Sequence, residues 1–328
     1  MLRLVRSIDF LKDGSMKAAR NKTIDLSVED GKEYLNRCVT VTEKVSLCDI
    51  MNKTITGDCF EVLPFLPESF VDLLIVDPPY NLTKDFGESV FRRMTDEQYA
   101  EYTERWIAAV KPVLKPEASI YVCCDWQSSP IVGMTLKKHF NVLNRITWQR
   151  EKGRGAARNW KNGMEDIWFA SVSDKYKFNL DAVKIRRRVI APYRNHGKPK
   201  DWEETEEGNF RNTCPSNFWD DITVPYWSMA ENTAHPTQKP EKLLAKLILA
   251  SSDAGDMVFD PFAGSGSTLV TAKKLGRNYA GVELNEQYCV WAEKRLENAE
   301  KDASIQGYSD GIFWERNTGD NRRLTRKS

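Results

Sequence analysis

An apolar run, VDLLIV (71–76), stops on Asp77-Pro78-Pro79-Tyr80-Asn81. No other stretch of the chain limits its fold so sharply. The run has the length and the β-branched, apolar character of a strand buried within a sheet. Two prolines at its end fix the backbone and prevent a helix from starting at once. The turn therefore holds a carboxylate, a backbone carbonyl and an aromatic ring at the carboxyl edge of a sheet. Ligands bind at that edge in open α/β folds. A carboxylate beside a carbonyl offers two acceptors, which match an NH2 group with its two donors. The neighbouring tyrosine ring is suited to stacking on a base.

Around this strand the chain keeps an alternating rhythm. Strands are predicted at 53–57, 118–124, 142–148, 166–172, 256–259 and 278–283, and helices at 96–112, 128–139, 239–251 and from the glycine loop through Leu275. Alternation of this kind implies an α/β fold with a parallel sheet covered on both faces. The rhythm breaks over 173–232, which is rich in charge, Pro, Asn and Trp and too long for a plain loop. Residues 1–50 read as a polar, partly helical arm, and residues 301–328 as a tail with a basic end. The length of 328 residues fits one large domain with an insertion, or two small ones. A content of 41% hydrophobic and 29% charged residues excludes a disordered or collagen-like chain. No apolar run approaches a membrane span, and the N-terminus has no secretory pattern, so a cytoplasmic protein is expected. Seven cysteines without a C-x-x-C pair, and three histidines remote from them, argue against a disulfide framework or a metal site.

A second motif carries its own chemistry. DMVFDPFAGSGSTLVTAKKLG (256–276) reads as strand, glycine turn and helix. Gly264 and Gly266 let a ligand approach bare backbone at a helix N-terminus. The next strand ends in Glu283, placed to accept ribose hydroxyl hydrogens of a nucleoside cofactor. The loop lacks the Lys-Ser/Thr ending of an ATP-hydrolysing P-loop and the third glycine of the dinucleotide fingerprint.

DPPY (77–80), then HPTQKP (235–240), then DPFAGSG (260–266), in that order, resemble the beta class of amino-group DNA methyltransferases. The resemblance covers about residues 53–298. It implies a Rossmann-like methyltransferase fold with a mostly parallel central sheet and circularly rearranged motif order, and S-adenosylmethionine as cofactor without a metal. It divides the chain into an arm (1–50), a catalytic half (51–172), a target-recognition insertion (173–232), a cofactor-binding half (233–300) and a tail (301–328). It implies a catalytic turn of Asp77, Pro78, Pro79 and Tyr80, in which Asp77 and the Pro78 carbonyl hold the target amino group and Tyr80 stacks on the flipped base. The resemblance further implies that Phe262, Ala263, Gly264, Ser265, Gly266, Ser267 and Thr268 form the cofactor cradle, with Asp260 at its entrance and Glu283 on the ribose. By the same resemblance Asp58 is expected to face the cofactor's adenine, Asp77 to border the cofactor, and Thr237 and Lys239 to face its methionine end. His235 is read as structural.

The family association of Asp at the head of the turn favours N6 of adenine in double-stranded DNA, with cytosine N4 as the alternative. A non-catalytic nucleic-acid-binding protein on the same fold is the reading of a different class. Direct transfer needs no covalent intermediate, and Cys214-Pro215 has the reverse of the order expected for a C5-cytosine nucleophile. A net charge of +1 conceals two basic stretches, 145–161 and 184–200. From them, Arg150, Lys152, Arg154, Arg158, Arg186, Arg187, Arg188, Arg194 and Lys198 are expected to contact DNA. Trp202, Trp219 and Trp227 are expected to form a small local core, and the acidic run 201–207 a surface turn. A homodimer and a cognate restriction endonuclease are companions the resemblance allows.

Overall fold

A computed structural model describes residues 20–85, 90–150, 157–189, 194–196, 198–206 and 208–315. Eight strands form the central sheet: β1 (Lys53–Thr56), β2 (Val71–Val76), β3 (Leu114–Asp125), β4 (Asn141–Gln149), β5 (Met164–Ser171), β6 (Phe218–Trp219), β7 (Met257–Asp260) and β8 (Asn278–Glu283). Their order is β1-β8-β7-β2-β3-β5-β4-β6. Only β5 runs against its neighbours, antiparallel to both β3 and β4. The fold is thus α/β with a mostly parallel sheet. The chain places β7, from its C-terminal part, directly beside β2, with Val258 opposite Leu73 and Phe259 opposite Leu74.

Strand β2 shows why this sheet is covered on both sides. Leu74 and Val76 join one apolar cluster with Trp106, Ile120 and Phe259. Leu73 and Ile75 join the other with Tyr121, Leu243 and Val258. Successive side chains point to opposite faces, so a strand apolar at nearly every position needs two covering layers. Asp72, the polar exception, accepts from Lys115 Nζ at 2.7 and 2.8 Å and from the Met257 N–H at 2.9 Å. It ties the strand to β3 and β7.

The covering helices are α1 (Asp96–Val110) and α2 (Ser129–His139) on one side, and α3 (Glu241–Ser251) and α4 (Ser267–Lys274) on the other, followed by α5 (Glu286–Lys301). Helix α1 opens on a capping box: Thr95 accepts from the Gln98 N–H, and the Gln98 side chain accepts from the Thr95 N–H. Its Tyr99, Thr103, Trp106, Ile107 and Val110 are the buried stripe.

Helix α3 carries two lysines among its apolar residues, yet every one of its residues is buried. A second sheet covers its other face. Five strands build that sheet in the order Glu203–Thr205, Gly208–Thr213, Ile185–Arg188, Ile312–Trp314 and Tyr308–Ser309. Ala245, Leu249 and Ala250 of α3 pack on Ile185 and Phe313 of this sheet. The lysines of α3 remain ionic: Lys246 Nζ donates to both oxygens of Asp221 at 2.8 and 2.9 Å, and Lys242 Nζ lies 2.9 Å from the same carboxylate. Residues 308–314, expected in the tail, are therefore strands of the second sheet. The part of the expected tail from 316 to 328 lies outside the described residues.

The described part of the arm, residues 20–50, is also docked, while residues 1–19 lie outside the described residues. The Leu26 carbonyl accepts from Gln287 Nε2 at 2.6 Å and Trp291 Nε1 at 2.9 Å on α5. Ile24 bridges to Thr233. Among the described residues, no helix is long and apolar enough to cross a membrane, and no group of three or more His, Cys, Asp or Glu could hold a metal ion.

One carboxylate, that of Asp221, thus serves two buried lysines. Asp221→Ala leaves both ammonium groups without a carboxylate, Lys242 keeping only the backbone carbonyls of Asp221 and Trp314, which is expected to cost about 3–5 kcal/mol of stability. Asp221→Ala combined with Lys242→Met and Lys246→Met is expected to recover most of that loss in urea unfolding.

Candidate active site

The carboxyl ends of β1, β8, β7 and β2 lie in register along one edge. Thr56 pairs with Glu283, and Asp260 with Gly281. The chain leaves each strand with a polar residue: Asp58 just past β1, Glu283 at the end of β8, Asp260 at the end of β7 and Asp77 just past β2. These carboxylates share one cleft of about 600 Å³. Pro78, Pro79, Tyr80, Thr237, Lys239, Phe262, Ala263, Gly264, Ser265, Ser267 and Thr268 line it as well.

The glycine turn is held from two directions. Glu283 accepts from the Gly264 N–H at 2.7 Å and from the Asn285 N–H at 2.8 Å. Asp260 accepts from the Phe262 N–H at 3.0 Å and from Thr268 Oγ1 at 2.6 Å. Beneath the turn, Arg295 donates to the Ser265 carbonyl at 2.7 Å, to Ser267 Oγ at 2.9 Å and to Glu241 Oε1 at 3.0 Å. Gly264 and Gly266 have φ of 53° and 74°, the region that favours glycine. They serve different ends. Gly264 lines the cleft under the His235 ring, 3.1 Å from where a Cβ would stand. Gly266 is outside the cleft lining, and a Cβ there would lie 2.6 Å from that of Ala292 on α5. The absence of a side chain there lets α5 pack close behind the turn.

Burial pushes the Asp260 carboxyl up to about 7 and that of Glu283 up to about 6. Burial, with Lys239 and Lys84 nearby, lowers His235 to about 3. It is a neutral ring that accepts from the Thr237 N–H at 3.3 Å and packs edge-on against Tyr288. Asp58 caps a short helix, accepting from the Phe60 N–H at 2.8 Å.

The proline corner is clamped. Tyr99 Oη donates to the Pro79 carbonyl at 3.1 Å, and the Asn81 side chain exchanges two hydrogen bonds with the Met94 backbone. Asp77 faces a buried network. Lys239 Nζ donates to its two oxygens at 2.8 and 2.7 Å, and Tyr80 Oη to Oδ1 at 3.0 Å. Glu165 is the second carboxylate: its Oε2 lies 3.1 Å from Tyr80 Oη and 3.4 Å from Lys239 Nζ, and its Oε1 accepts from Arg150. Burial alone would neutralise these groups. Lys239 and Arg150 instead hold Glu165 below the usual carboxylate range, while Asp77 and Glu165 hold Lys239 above the usual ammonium range. Burial and the two carboxylates push the Tyr80 phenol far up, so it remains a donor.

Sequence reasoning missed Glu165 and Arg295. Glu165 lies near the amino end of β5, and reversal of that strand brings it to the carboxyl edge of the others. Neither residue sits in a motif: the sheet order locates Glu165, and the packing of α5 behind the turn locates Arg295.

The basic residues are distributed differently from the charge pattern. Arg150 is turned into the cleft. Arg158, Arg188 and Lys198 are exposed. Arg186 stacks over Phe210 and pairs with Glu203 at 3.0 Å, Arg187 lies 3.4 Å from Glu315, and Arg194 pairs with Glu204 at 3.1 Å. Lys152 and Arg154 lie outside the described residues. Trp202 and Trp219 are buried, whereas Trp227 is 52% exposed. Leu82, Trp126 and Met164, all partly exposed, line the apolar part of the cleft.

Residues 71–294 match the family described as DNA methylase. Type II methyltransferase M.HpaI of Haemophilus parainfluenzae is 33% identical over 249 residues, spanning 75% of this chain and 74% of that protein. The chain belongs to this DNA methylase family. DNA adenine methyltransferase YhdJ of Escherichia coli (strain K12) is 33% identical to the methylase over 252 residues, covering 75% of this chain and 82% of YhdJ. Among solved structures, PvuII DNA methyltransferase (cytosine-N4-specific) shares the fold with a TM-score of 0.55 at 16% identity, covering 86% of the methylase and 98% of that chain. The M1.HpyAVI–SAM complex does so with a TM-score of 0.50 at 23% identity, covering 74% and 98%.

In the methylase, Gly266→Ala is expected to lose about 1–2 kcal/mol from its left-handed backbone, with a further loss from crowding Ala292. Adding Ala292→Gly removes the crowded Cβ but costs about 1 kcal/mol as a glycine inside α5, so in thermal unfolding it is expected to return the crowding part less that cost, while the backbone part remains.

Proposed function

We propose that this DNA methylase moves a methyl group from S-adenosylmethionine to the exocyclic N6 of an adenine flipped out of double-stranded DNA. The observation that carries this reading is a single cleft holding both the Asp77 corner and the Gly264 turn. The cleft has a size suited to a cofactor. The donor set suits this one: a carboxylate at Glu283 for ribose hydroxyls, Asp58 for an adenine amino group, bare backbone at Gly264 and the Phe262 ring. When bound, S-adenosylmethionine supplies a methyl group activated by the sulfonium charge.

The chain's own residues do the rest by positioning and electrostatics. An exocyclic amino nitrogen is a weak nucleophile because its lone pair is delocalised into the ring. Asp77 and the Pro78 carbonyl accept both amino hydrogens, which favours a pyramidal nitrogen with an available lone pair. Tyr80 stacks on the base and substitutes for its neighbours in the duplex. Thr237 and Lys239 border the methionine end. The adenine reading is favoured by Asp at the head of the turn and by the likeness to YhdJ, whose name states adenine. Exposed Arg158, Arg188 and Lys198 are assigned to phosphate contact. A cytoplasmic location goes with DNA as substrate. A homodimer and a paired restriction endonuclease are compatible with this chemistry, which requires neither.

Asp77→Ala is expected to keep cofactor affinity and to lower methyl transfer to duplex DNA by at least about 10²-fold. Retained transfer would defeat the assignment of Asp77. Digestion of the wild-type product to nucleosides is expected to yield N6-methyladenine; N4-methylcytosine would overturn the target base. Cofactor affinity also has a predicted pH dependence. Glu283, held at about 6 by burial, must be ionised to accept ribose hydrogens. Affinity therefore rises as pH increases through 6, and should be about tenfold weaker at pH 5 than at pH 7. Glu283→Gln should flatten that step in a titration, which separates it from titration of Asp260.

A further inference from the structure

The buried carboxylate of Glu165 has no part in the chemistry above, yet it faces the same catalytic corner. Lys239 Nζ occupies both oxygens of Asp77, at 2.8 and 2.7 Å. Those are oxygens that the target amino group needs. The Lys239 side chain is 6% exposed, so its ammonium depends on protein partners. Glu165 Oε2 stands 3.4 Å from it, and the Tyr80 hydroxyl bridges the two carboxylates, 3.0 Å from one and 3.1 Å from the other. Arg150 holds the far oxygen of Glu165.

We infer that Glu165 is a positioning residue that takes over Lys239 and the Tyr80 hydroxyl from Asp77 when the target amino group arrives. This rests on the assignment of Asp77 to the amino group. The exchange moves hydrogen bonds only: the ammonium and the phenol keep their protons. Two carboxylates and two cations balance throughout. Without the negative charge on Glu165, Lys239 has Asp77 as its remaining partner in the network and stays on it. A buried, doubly hydrogen-bonded ion pair is costly to break when no second partner is offered.

The test uses the full chain with saturating S-adenosylmethionine and unmethylated duplex, read as single-turnover methyl transfer beside cofactor affinity. Glu165→Gln preserves shape and removes the charge. It is expected to slow transfer by about tenfold or more with cofactor affinity within about twofold of wild type. Because Glu165 acts through Lys239, the two residues should not behave independently: Glu165→Gln combined with Lys239→Met is expected to be no slower than Lys239→Met alone. Wild-type transfer by Glu165→Gln would overturn the inference, and is the result if the cofactor's own carboxylate takes Lys239. Multiplying penalties in the double variant would overturn it too, as would loss of cofactor binding by Glu165→Gln, which would mark a general support of the fold. Asp77→Ala, measured alongside, keeps the failures apart: if it remains active, the reading of Asp77 itself has failed.

Discussion

The pairing of β2 with β7 is the constraint on which the site depends. The two strands are far apart in the chain, yet Leu73 and Leu74 lie opposite Val258 and Phe259. Parallel neighbours stand about 4.8 Å apart, so the segments leaving their carboxyl ends must meet. Asp77 and its prolines leave β2, and the glycine turn leaves β7. A slip of one residue would turn the alternating side chains of β2 over and bury Asp72 in the wrong layer. Asp72 opposes this, because its carboxylate receives Lys115 from β3 and the Met257 N–H from β7. The register that closes the core also assembles the cleft.

Charge buried at this junction obeys the same logic. Asp77, Glu165, Lys239 and Arg150 come from four separate segments and meet at one end of the sheet. Arg295, Glu241 and Lys274 meet beneath the glycine turn. Asp221, Lys242 and Lys246 meet between the two sheets. Such groups add little to stability over apolar packing, but each cluster confines its partners to the few arrangements that keep every charge paired. Their value here is positional. Arg295 fixes the carbonyl of Ser265 and thereby the path of the turn.

The features legible in the residues alone are local in the chain. The proline corner and the glycine turn announce themselves because a few adjacent residues dictate backbone shape. Glu283 was legible because one helix and one strand separate it from the turn. Glu165 and Arg295 were not, since their neighbours in space are 88 and 30 residues away, between Glu165 and Asp77 and between Arg295 and Ser265. The complete burial of α3 was hidden for a related reason. Its Lys242 and Lys246 look like a solvated stripe until Asp221 and the second sheet are placed over them. Arg150 was grouped with a basic surface stretch, although the end of β4 carries it inward to Glu165.

The two charge blocks of residues 184–207 obey geometry in the same way. In the chain, a basic stretch at 184–200 precedes acids at 201–207, and each block invites its own interpretation. In the folded chain they answer one another: Arg186 meets Glu203, Arg194 meets Glu204, and Asp201 meets Arg211. Exposed pairs of this kind contribute little energy, but they lower the positive charge available to a phosphate backbone. Period two along Ile185–Arg188 also sends Arg187 to the face opposite Arg186 and Arg188. A run of three arginines is therefore one packed side chain, one partner of Glu315 and one exposed cation. A DNA backbone approaching this region meets the geometry of a sheet, in which a count of basic residues says little about where they point.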